Sequence, residues 1–451
     1  MFFEYLNLRL LRRIWEYAWP TAVYSLLETA VGLVDIYLAG SLGADAVASI
    51  GFARQIFLVL MIGTLSITTG TITMVAQYCG AKQYQKASAV AHHSLALSVV
   101  SGLFIGIIGI FISQPLISSL GASQMVVEQG TAYLQVLMAG VLFMMINFST
   151  NAVFRALGDT RTPLKIAITV NIFNVIFSYT LLNGIWIFPP LGVVGIALGT
   201  VIARMIGSYW GLVLLSDRER QVRVQFRASF DRDIFKRILS IGVPSGFSGF
   251  FRNGARIMFF AIIAATEAGT TAVAAATVGF QIRMLAIMPA LAFQVATSAL
   301  VGQSIGAGKI RRAEEYGLTA IVFCSLLLAF LSLIVFLFPR QMVSLFTDDP
   351  EVLFLSILTL RAIAFEQFCN CVSIIASGAL SGAGDTRPSM NYTLVSQWLL
   401  MLPLAYLLAE KTEYDITGAW IAWGFAPFIQ MVLTLSRYFG GHWKTLRVTS
   451  M

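Results

Sequence analysis

Two carboxylates lie within the first long apolar segment of the chain. Residues 18–40, AWPTAVYSLLETAVGLVDIYLAG, include Glu28 and Asp35 and are long enough to cross the roughly 30 Å hydrocarbon core of a bilayer as an α-helix. Because the acids are seven residues apart, they share one helix face about two turns from each other. An ionised carboxylate at bilayer depth costs at least ~2.5–3.5 kcal/mol. This face is therefore predicted to line a protein interior or a watery cavity.

The alternative is that both acids are interfacial and reach water near the helix end. Residues 18–40 contain no Lys or Arg that could compensate either acid. A proton or a cation is therefore the predicted partner.

The composition is that of an all-α polytopic membrane protein. The chain is 57% hydrophobic and only 12% charged, far from the usage of soluble domains. Hydropathy predicts twelve apolar segments. They lie near 15–39, 47–76, 87–112, 129–154, 163–183, 191–215, 236–264, 272–300, 315–338, 352–379, 389–409 and 416–438.

The four cysteines and three histidines point to neither a disulfide framework nor a metal cluster. Accordingly, no cofactor is predicted.

Basic residues are distributed unevenly between the two sides of these segments. Most of the 30 Lys and Arg fall on the side of the N-terminus, whereas the opposite loops contain Arg340 and Lys411. The positive-inside rule then places both termini in the cytoplasm, with the first segment retained as an anchor in the cytoplasmic (inner) membrane. The net charge of +8 is explained by anionic lipid headgroups rather than by nucleic acid.

The sequence repeats itself after its midpoint. Two pairs of segments correspond. One pair is AQYCGAKQYQKA at 76–87 and GQSIGAGKIRRA at 302–313, and the other is RALGDTRTP at 155–163 and SGAGDTRPS at 381–389. Both pairs are offset by 226 residues. Two independent motifs with one offset indicate that the chain contains the same unit twice.

The repeat and the segment count together predict two six-helix bundles. The lobes are predicted as 1–215 and 236–451, joined by a cytoplasmic linker at 216–235. Because six is even, both lobes enter from the same side and are related by a pseudo-two-fold axis along the membrane normal. The Gly-Asp-Thr-Arg motifs are interpreted as turns, after which Pro163 and Pro388 begin the next segments.

One proline opens the first helix of each lobe. These two residues, Pro20 and Pro244, are predicted to act as hinges. Eight residues beyond them stand Glu28 and Arg252, and Arg256 follows Arg252 by one turn. These side chains are candidates to face one cavity, with Glu28 either orienting a substrate or balancing Arg252.

With these residues identified, the chain resembles bacterial members of the multidrug and toxic compound extrusion (MATE) family over essentially its whole length. The resemblance is carried by LLETAVGLVDIYLAGSLGADAVASIGF, AQYCGAKQYQKA, FRALGDTRTPL, GVPSG, LVGQSIGAGK and SGALSGAGDTRPSM. It implies a carrier rather than an enzyme. Such a protein, taken here as a monomer among membrane lipids, exports small amphipathic, often cationic compounds in exchange for H⁺ or Na⁺ by alternating access of two lobes.

The resemblance also implies a cation-coupling site in the N-terminal lobe. Asp35 stands where family members have their cation-responsive acid, which makes it the candidate for binding H⁺ or Na⁺. Asn174 matches an Asn of the fifth helix, Ser178 replaces the acid that commonly follows it, and Thr200 resembles a polar residue of the sixth helix.

Another branch of the family has its cation acids in the C-terminal lobe. The corresponding residues here are Arg252 and Asn370, so that site looks abolished. Glu366, one turn before Asn370, either replaces the acid or pairs with Arg252 or Arg361. The candidate substrate cavity contains residues of both lobes: Glu28, Asp35, Arg252, Arg256, Glu366 and Asn370.

Three rival interpretations remain at this point. A flippase of lipids or lipid-linked precursors from the same superfamily would use cationic side chains for a phosphate headgroup. The G-x-G-D at 382–385 is the motif of an intramembrane aspartyl protease, but it begins a predicted cytoplasmic turn, and chemistry needs a second facing acid. A channel is disfavoured by two similar lobes in place of a ring of subunits.

Overall fold

The computed structural model describes residues 8–185, 188–224, 231–346, 349–412 and 414–446. Across these ranges the chain is helical and contains no strand, which confirms the predicted all-α fold. In chain order the helices are α1 Leu8–Gly40, α2 Ala44–Leu60, α3 Thr64–Gly80, α4 Tyr84–Ser118, α5 Gln124–Leu157, α6 Arg161–Asn183, α7 Gly192–Leu215, α8 Arg232–Ala264, α9 Gly269–Gly306, α10 Ile310–Leu337, α11 Pro339–Val343, α12 Pro350–Ala383, α13 Arg387–Leu394, α14 Leu402–Glu410 and α15 Asp415–Phe439.

These helices form twelve membrane-length segments within the described ranges, as predicted. A 3₁₀ turn at Met61–Gly63 joins α2 to α3, and a π-helical segment at Val395–Met401 joins α13 to α14, so each pair makes one segment. Ten segments are long and apolar enough to cross a bilayer, and α9 is an eleventh that is bent. Pro289 lies within α9 and has no N–H for the carbonyl one turn earlier, which accounts for a bend there.

The twelfth segment, α8, is long enough at 33 residues but is less apolar. It contains Arg252, Asn253 and Arg256, which lower its hydropathy. Polar side chains of this kind are expected on a helix that faces other protein groups rather than lipid.

The repeated motifs form the same turns in both halves of the chain. Gly158 and Gly384 end α5 and α12 with φ of 88° and 89°, and Lys82 and Gly308 follow α3 and α9 with φ of 58° and 73°. In all four turns the next amide N–H bonds to the carbonyl five residues earlier, which is the Schellman arrangement. Matching turns at the 226-residue offset are the structural counterpart of the sequence repeat.

Contacts divide the chain into two compact units. The first unit comprises Trp19–Val243, and the second unit comprises Met1–Ala18 together with Pro244–Met451. Pro20, inside α1, lies one residue past the first boundary, and Pro244, inside α8, lies at the second.

The lobes predicted from the sequence, 1–215 and 236–451, have other boundaries than these units and stay a prediction. Residues 225–230 of the predicted linker lie outside the described residues.

Close packing of α6 against α7 positions the polar residues of the first unit. A Cβ added at Gly195 would lie 2.6 Å from the backbone of Leu181, and one at Gly199 would overlap the backbone and hydroxyl of Ser178. Small residues at such spacing allow helix backbones in membranes to approach closely. This close approach brings Ser178 of α6 and Thr200 of α7 to the same helix–helix contact.

Candidate functional site

Asp35 is a buried acid that is hydrogen-bonded by neutral groups. Its residue is 3% exposed. Tyr133 on α5 donates from Oη to Oδ2 at 2.7 Å, and Thr200 on α7 donates from Oγ1 to Oδ2 at 3.2 Å and to Oδ1 at 3.3 Å. Asp35 forms no ion pair with any residue that the structure describes.

The other predicted coupling residues lie in the same polar cluster. Asn174 donates from Nδ2 to Thr200 Oγ1 at 2.8 Å and to Ser178 Oγ at 3.3 Å, and all three residues are buried. Because Asn174 donates to the Thr200 hydroxyl, that hydroxyl has its own proton left to donate, and Asp35 Oδ2 and the Ile196 carbonyl both lie 3.2 Å from it. The structure thus brings the four predicted coupling residues together.

One acceptor in this cluster is unused. Asn174 Oδ1 is buried without a donor among the described groups. A buried amide oxygen in that state is costly unless a donor or a cation satisfies it. A proton on Asp35 and a bound Na⁺ would each bring positive charge to the oxygens of this cluster.

Two residues near Asp35 were not anticipated from the sequence. Tyr133 is one of several polar residues of α5, and no motif distinguishes it from the others. Arg54 on α2 lies against Gly32 of α1, where a Cβ would overlap its guanidinium. The sequence signal for Arg54 was a basic residue inside an apolar segment, which has to lie against protein.

Glu28 shares the helix face of Asp35 but has a different environment. Arg204 of α7 donates to it through both arms, from Nη1 to Oε1 and from Nη2 to Oε2, each at 2.8 Å. The side chains of Arg204 and Glu28 are 4% and 19% exposed. Glu28 therefore pairs with an arginine other than the Arg252 considered from sequence, whereas Asp35 has no ion-pair partner among the described residues.

Glu366 in the second unit has a similar bidentate partner. Arg283 of α9 donates from Nε to Oε2 at 2.7 Å and from Nη2 to Oε1 at 2.8 Å, and Asn370 donates from Nδ2 to Oε1 at 2.7 Å. The ion-pair partner of Glu366 is thus Arg283 rather than the Arg252 or Arg361 suggested from sequence.

The two remaining arginines of the predicted cavity lie beside this pair. Arg256 donates from Nη2 to Asn253 Oδ1 at 3.2 Å on its own helix. Arg252 makes no hydrogen bond to a described residue. With Arg283, Glu366 and Asn370 they line a small cavity of about 60 Å³ inside the second unit.

Twelve membrane-length segments within the described ranges, the first of which carries the buried Asp35, are typical of multi-pass membrane transporters. The MatE family model matches residues 20–180 and 244–407, and the chain belongs to that family. Members of the family are transporters rather than enzymes and need no cofactor.

Relatives extend over nearly the whole chain. A Thermotoga maritima protein described as probable multidrug resistance protein NorM is 28% identical over 436 residues, which cover 95% of this chain and 92% of the relative. The Bacillus subtilis uncharacterized transporter YisQ is 24% identical over 95% of this chain and 94% of its own length.

Solved structures show the same fold. A crystal structure of MATE in the bent conformation has a TM-score of 0.91 at 24% identity, covering 98% of this chain and 97% of that chain. A MOP superfamily transporter from Pyrococcus furiosus, described as having reverse polarity of its binding pocket, has a TM-score of 0.87 at 24% identity, covering 95% of both chains.

Proposed function

We propose that this protein is a cation-coupled antiporter that exports amphipathic organic compounds, cationic ones in the main, by alternating access. Asp35 is the coupling carboxylate and exchanges H⁺ or Na⁺ for substrate. The observation that supports this role is the contrast along α1: Glu28 has a bidentate Arg204, whereas buried Asp35 has neutral donors only.

The neighbours of Asp35 give the site its selectivity for a small cation. Thr200, Asn174 and Ser178 supply hydroxyl and amide oxygens of the kind that hold a hard cation such as Na⁺. A proton on Asp35 removes the negative charge that attracts a cationic substrate. Occupancy by the coupling ion and by substrate is then mutually exclusive, which is the requirement for antiport.

The membrane potential is large enough to drive this exchange. At ~100 mV, each net charge moved inward supplies roughly 2.3 kcal/mol, or about a 50-fold concentration gradient, before any pH or Na⁺ difference is added.

The remaining elements of the proposal concern the frame around Asp35. The six-helix lobes 1–215 and 236–451 alternate access in the cytoplasmic membrane, and both termini are cytoplasmic. Pro20 and Pro244 are the hinges, since each lies inside a helix at or next to a boundary between compact units. The protein acts as a monomer on small organic substrates among membrane lipids, without nucleic acid.

The proposal assigns substrate binding to one set of residues. These are Glu28, Asp35, Arg252, Arg256, Glu366 and Asn370. The relatives named as probable multidrug resistance proteins support export of drug-like compounds.

A second candidate function is a flippase for lipids or lipid-linked precursors. It is favoured by a specific observation, the excess of arginine over acid around the cavity of the second unit. Such a protein would share the fold and would bind phosphate headgroups.

Substitution of Asp35 tests the proposed function. Asp35→Asn keeps the side chain's size and removes its charge, so we expect loss of dye efflux from cells at normal membrane expression. Asp45→Asn is the matched control, because Asp45 is exposed in the first turn of α2. Wild-type efflux by Asp35→Asn would refute the assigned role.

A further inference from the structure

The cavity of the second unit is unusually rich in positive charge. Four helices and the π-helical segment surround it, and Arg252, Arg256 and Arg283 face a single carboxylate, Glu366. The lining residues are Arg252, Asn253, Arg256, Arg283, Glu366, Asn370, Gln397, Met401, Trp423 and Pro427. Three guanidinium groups and one carboxylate leave a surplus of two positive charges.

The carboxylate of Glu366 does not offset this surplus. Both of its oxygens are occupied by the two-armed contact with Arg283, and Asn370 adds a third donor to Oε1. Glu366 is 1% exposed, so this arrangement is enclosed by protein. The pair is neutral as a unit, and no carboxylate in the described part of the chain forms an ion pair with Arg252 or Arg256.

Three side chains around the cavity have unused donors. Arg252 has no acceptor among the described residues, and Arg256 uses one N–H on Asn253 Oδ1. Trp423 is 5% exposed, and its Nε1 is buried without an acceptor in the described part of the chain. Indole and guanidinium N–H groups cannot accept hydrogen bonds, so only an acceptor can satisfy them.

We propose that this cavity binds an oxyanion, a phosphate or carboxylate group, and that during transport it receives this group from an amphipathic substrate. Bound there, the oxyanion would offset buried positive charge and accept from Arg252, Arg256 and the Trp423 indole. Arginine suits such a group because its planar fork matches the geometry of phosphate and carboxylate oxygens.

The size of the cavity limits what enters it. Sites that hold drug-sized molecules have volumes of about 300–1,000 Å³, so a cavity of about 60 Å³ admits a small charged group and excludes a whole drug molecule. The apolar part of the substrate must lie elsewhere. The inference rests on the proposed transport function and narrows its substrates to amphipathic compounds that carry an anionic group beside a cationic one.

Binding to the purified full-length protein in neutral detergent tests the inference. The probes are hexyl phosphate, hexyltrimethylammonium as the cation of matched chain length, and inorganic phosphate, each titrated by calorimetry and by the shift in thermal unfolding. The variants are Arg252→Gln, Arg252→Lys and Trp423→Phe. Arg361→Gln is the matched control, since Arg361 is an exposed arginine of α12 in the same unit that lies against the Phe336 ring.

We expect hexyl phosphate to bind the wild type and Arg361→Gln equally. The affinity should fall by ~10- to ~100-fold in Arg252→Gln, as for loss of a charge-assisted hydrogen bond, and by about 2- to 10-fold in Trp423→Phe. Arg252→Lys keeps the charge, so its affinity should fall less than that of Arg252→Gln. It also tests the site if Arg252→Gln fails to fold. Hexyltrimethylammonium should not compete with hexyl phosphate.

Two results would overturn the inference. Equal hexyl phosphate affinity in wild type, Trp423→Phe and a folded Arg252 variant would remove the site. Inorganic phosphate binding as tightly as hexyl phosphate would assign the site to a free anion and overturn the role in substrate recognition. Failure of this inference and failure of the proposed function are distinguishable, because efflux by Asp35→Asn tests the proposed function, whereas hexyl phosphate binding by the Arg252 and Trp423 variants tests the inference.

Discussion

The buried pair of Glu28 and Arg204 allows a quantitative prediction. Arg204→Gln removes two N–H···O bonds of 2.8 Å and leaves the Glu28 carboxylate, whose side chain is 19% exposed, without its counter-charge. Removing one partner of a buried ion pair costs about 3–5 kcal/mol, because the other charge stays desolvated. We therefore expect Arg204→Gln to lower the free energy of unfolding by about that amount.

The double variant Glu28→Gln/Arg204→Gln removes both charges together. Its cost should be smaller than that of either single substitution, since no uncompensated charge remains in the protein. Equilibrium unfolding in mixed micelles with a rising mole fraction of SDS measures all three free energies. Arg12→Gln is the control, because the Arg12–Glu16 pair is exposed, at 83% and 52%, and should contribute less than ~1 kcal/mol.

Additive losses in the two single variants would contradict coupling between Glu28 and Arg204. If the double variant loses the sum of the two single losses to within ~0.5 kcal/mol, the two side chains are not coupled.

Two further predictions concern the packing and the hydrogen bonds around the same cluster. Gly199→Ala should destabilise the protein by about 1–3 kcal/mol, because the new methyl overlaps Ser178, whereas Gly51→Ala meets no atom within 4 Å and should be neutral or stabilising; equal unfolding curves would contradict this packing. Thr200→Val keeps the shape of the side chain but removes the donor to Asp35, so ion-driven efflux should fall at least ~10-fold at equal expression, and unchanged transport would show that this bond is dispensable.

Much of the fold was predictable because its signals are local or periodic. A membrane-length apolar run specifies a helix without reference to any other part of the chain, and the constant 226-residue offset specifies the repeat. Gly158 and Gly384 indicated turns in the sequence, because glycine commonly adopts φ > 0 at the end of a helix, as both residues do here. The hydropathy of α8 showed the limit of this reasoning, because its arginines weaken the apolar signal.

The charge partners could not be predicted, because they depend on which helices are neighbours. Arg204 and Arg283 stood out in the sequence as bases within apolar segments, but nothing local indicated that they would pair with Glu28 and Glu366. Tyr133 had no signal at all, since a tyrosine in a membrane helix most often serves packing or the interface. The contact of Asn174 and Thr200 was suggested only through the family resemblance.

The central claim is that Asp35 couples export to an inward cation gradient. It is tested most directly in proteoliposomes that contain the purified full chain, with pH and Na⁺ gradients imposed separately and substrate movement followed for wild type and Asp35→Asn. The account predicts that at least one of the two gradients drives saturable counter-transport by the wild type and that neither drives it in Asp35→Asn. Gradient-driven transport by Asp35→Asn at the wild-type rate would contradict it.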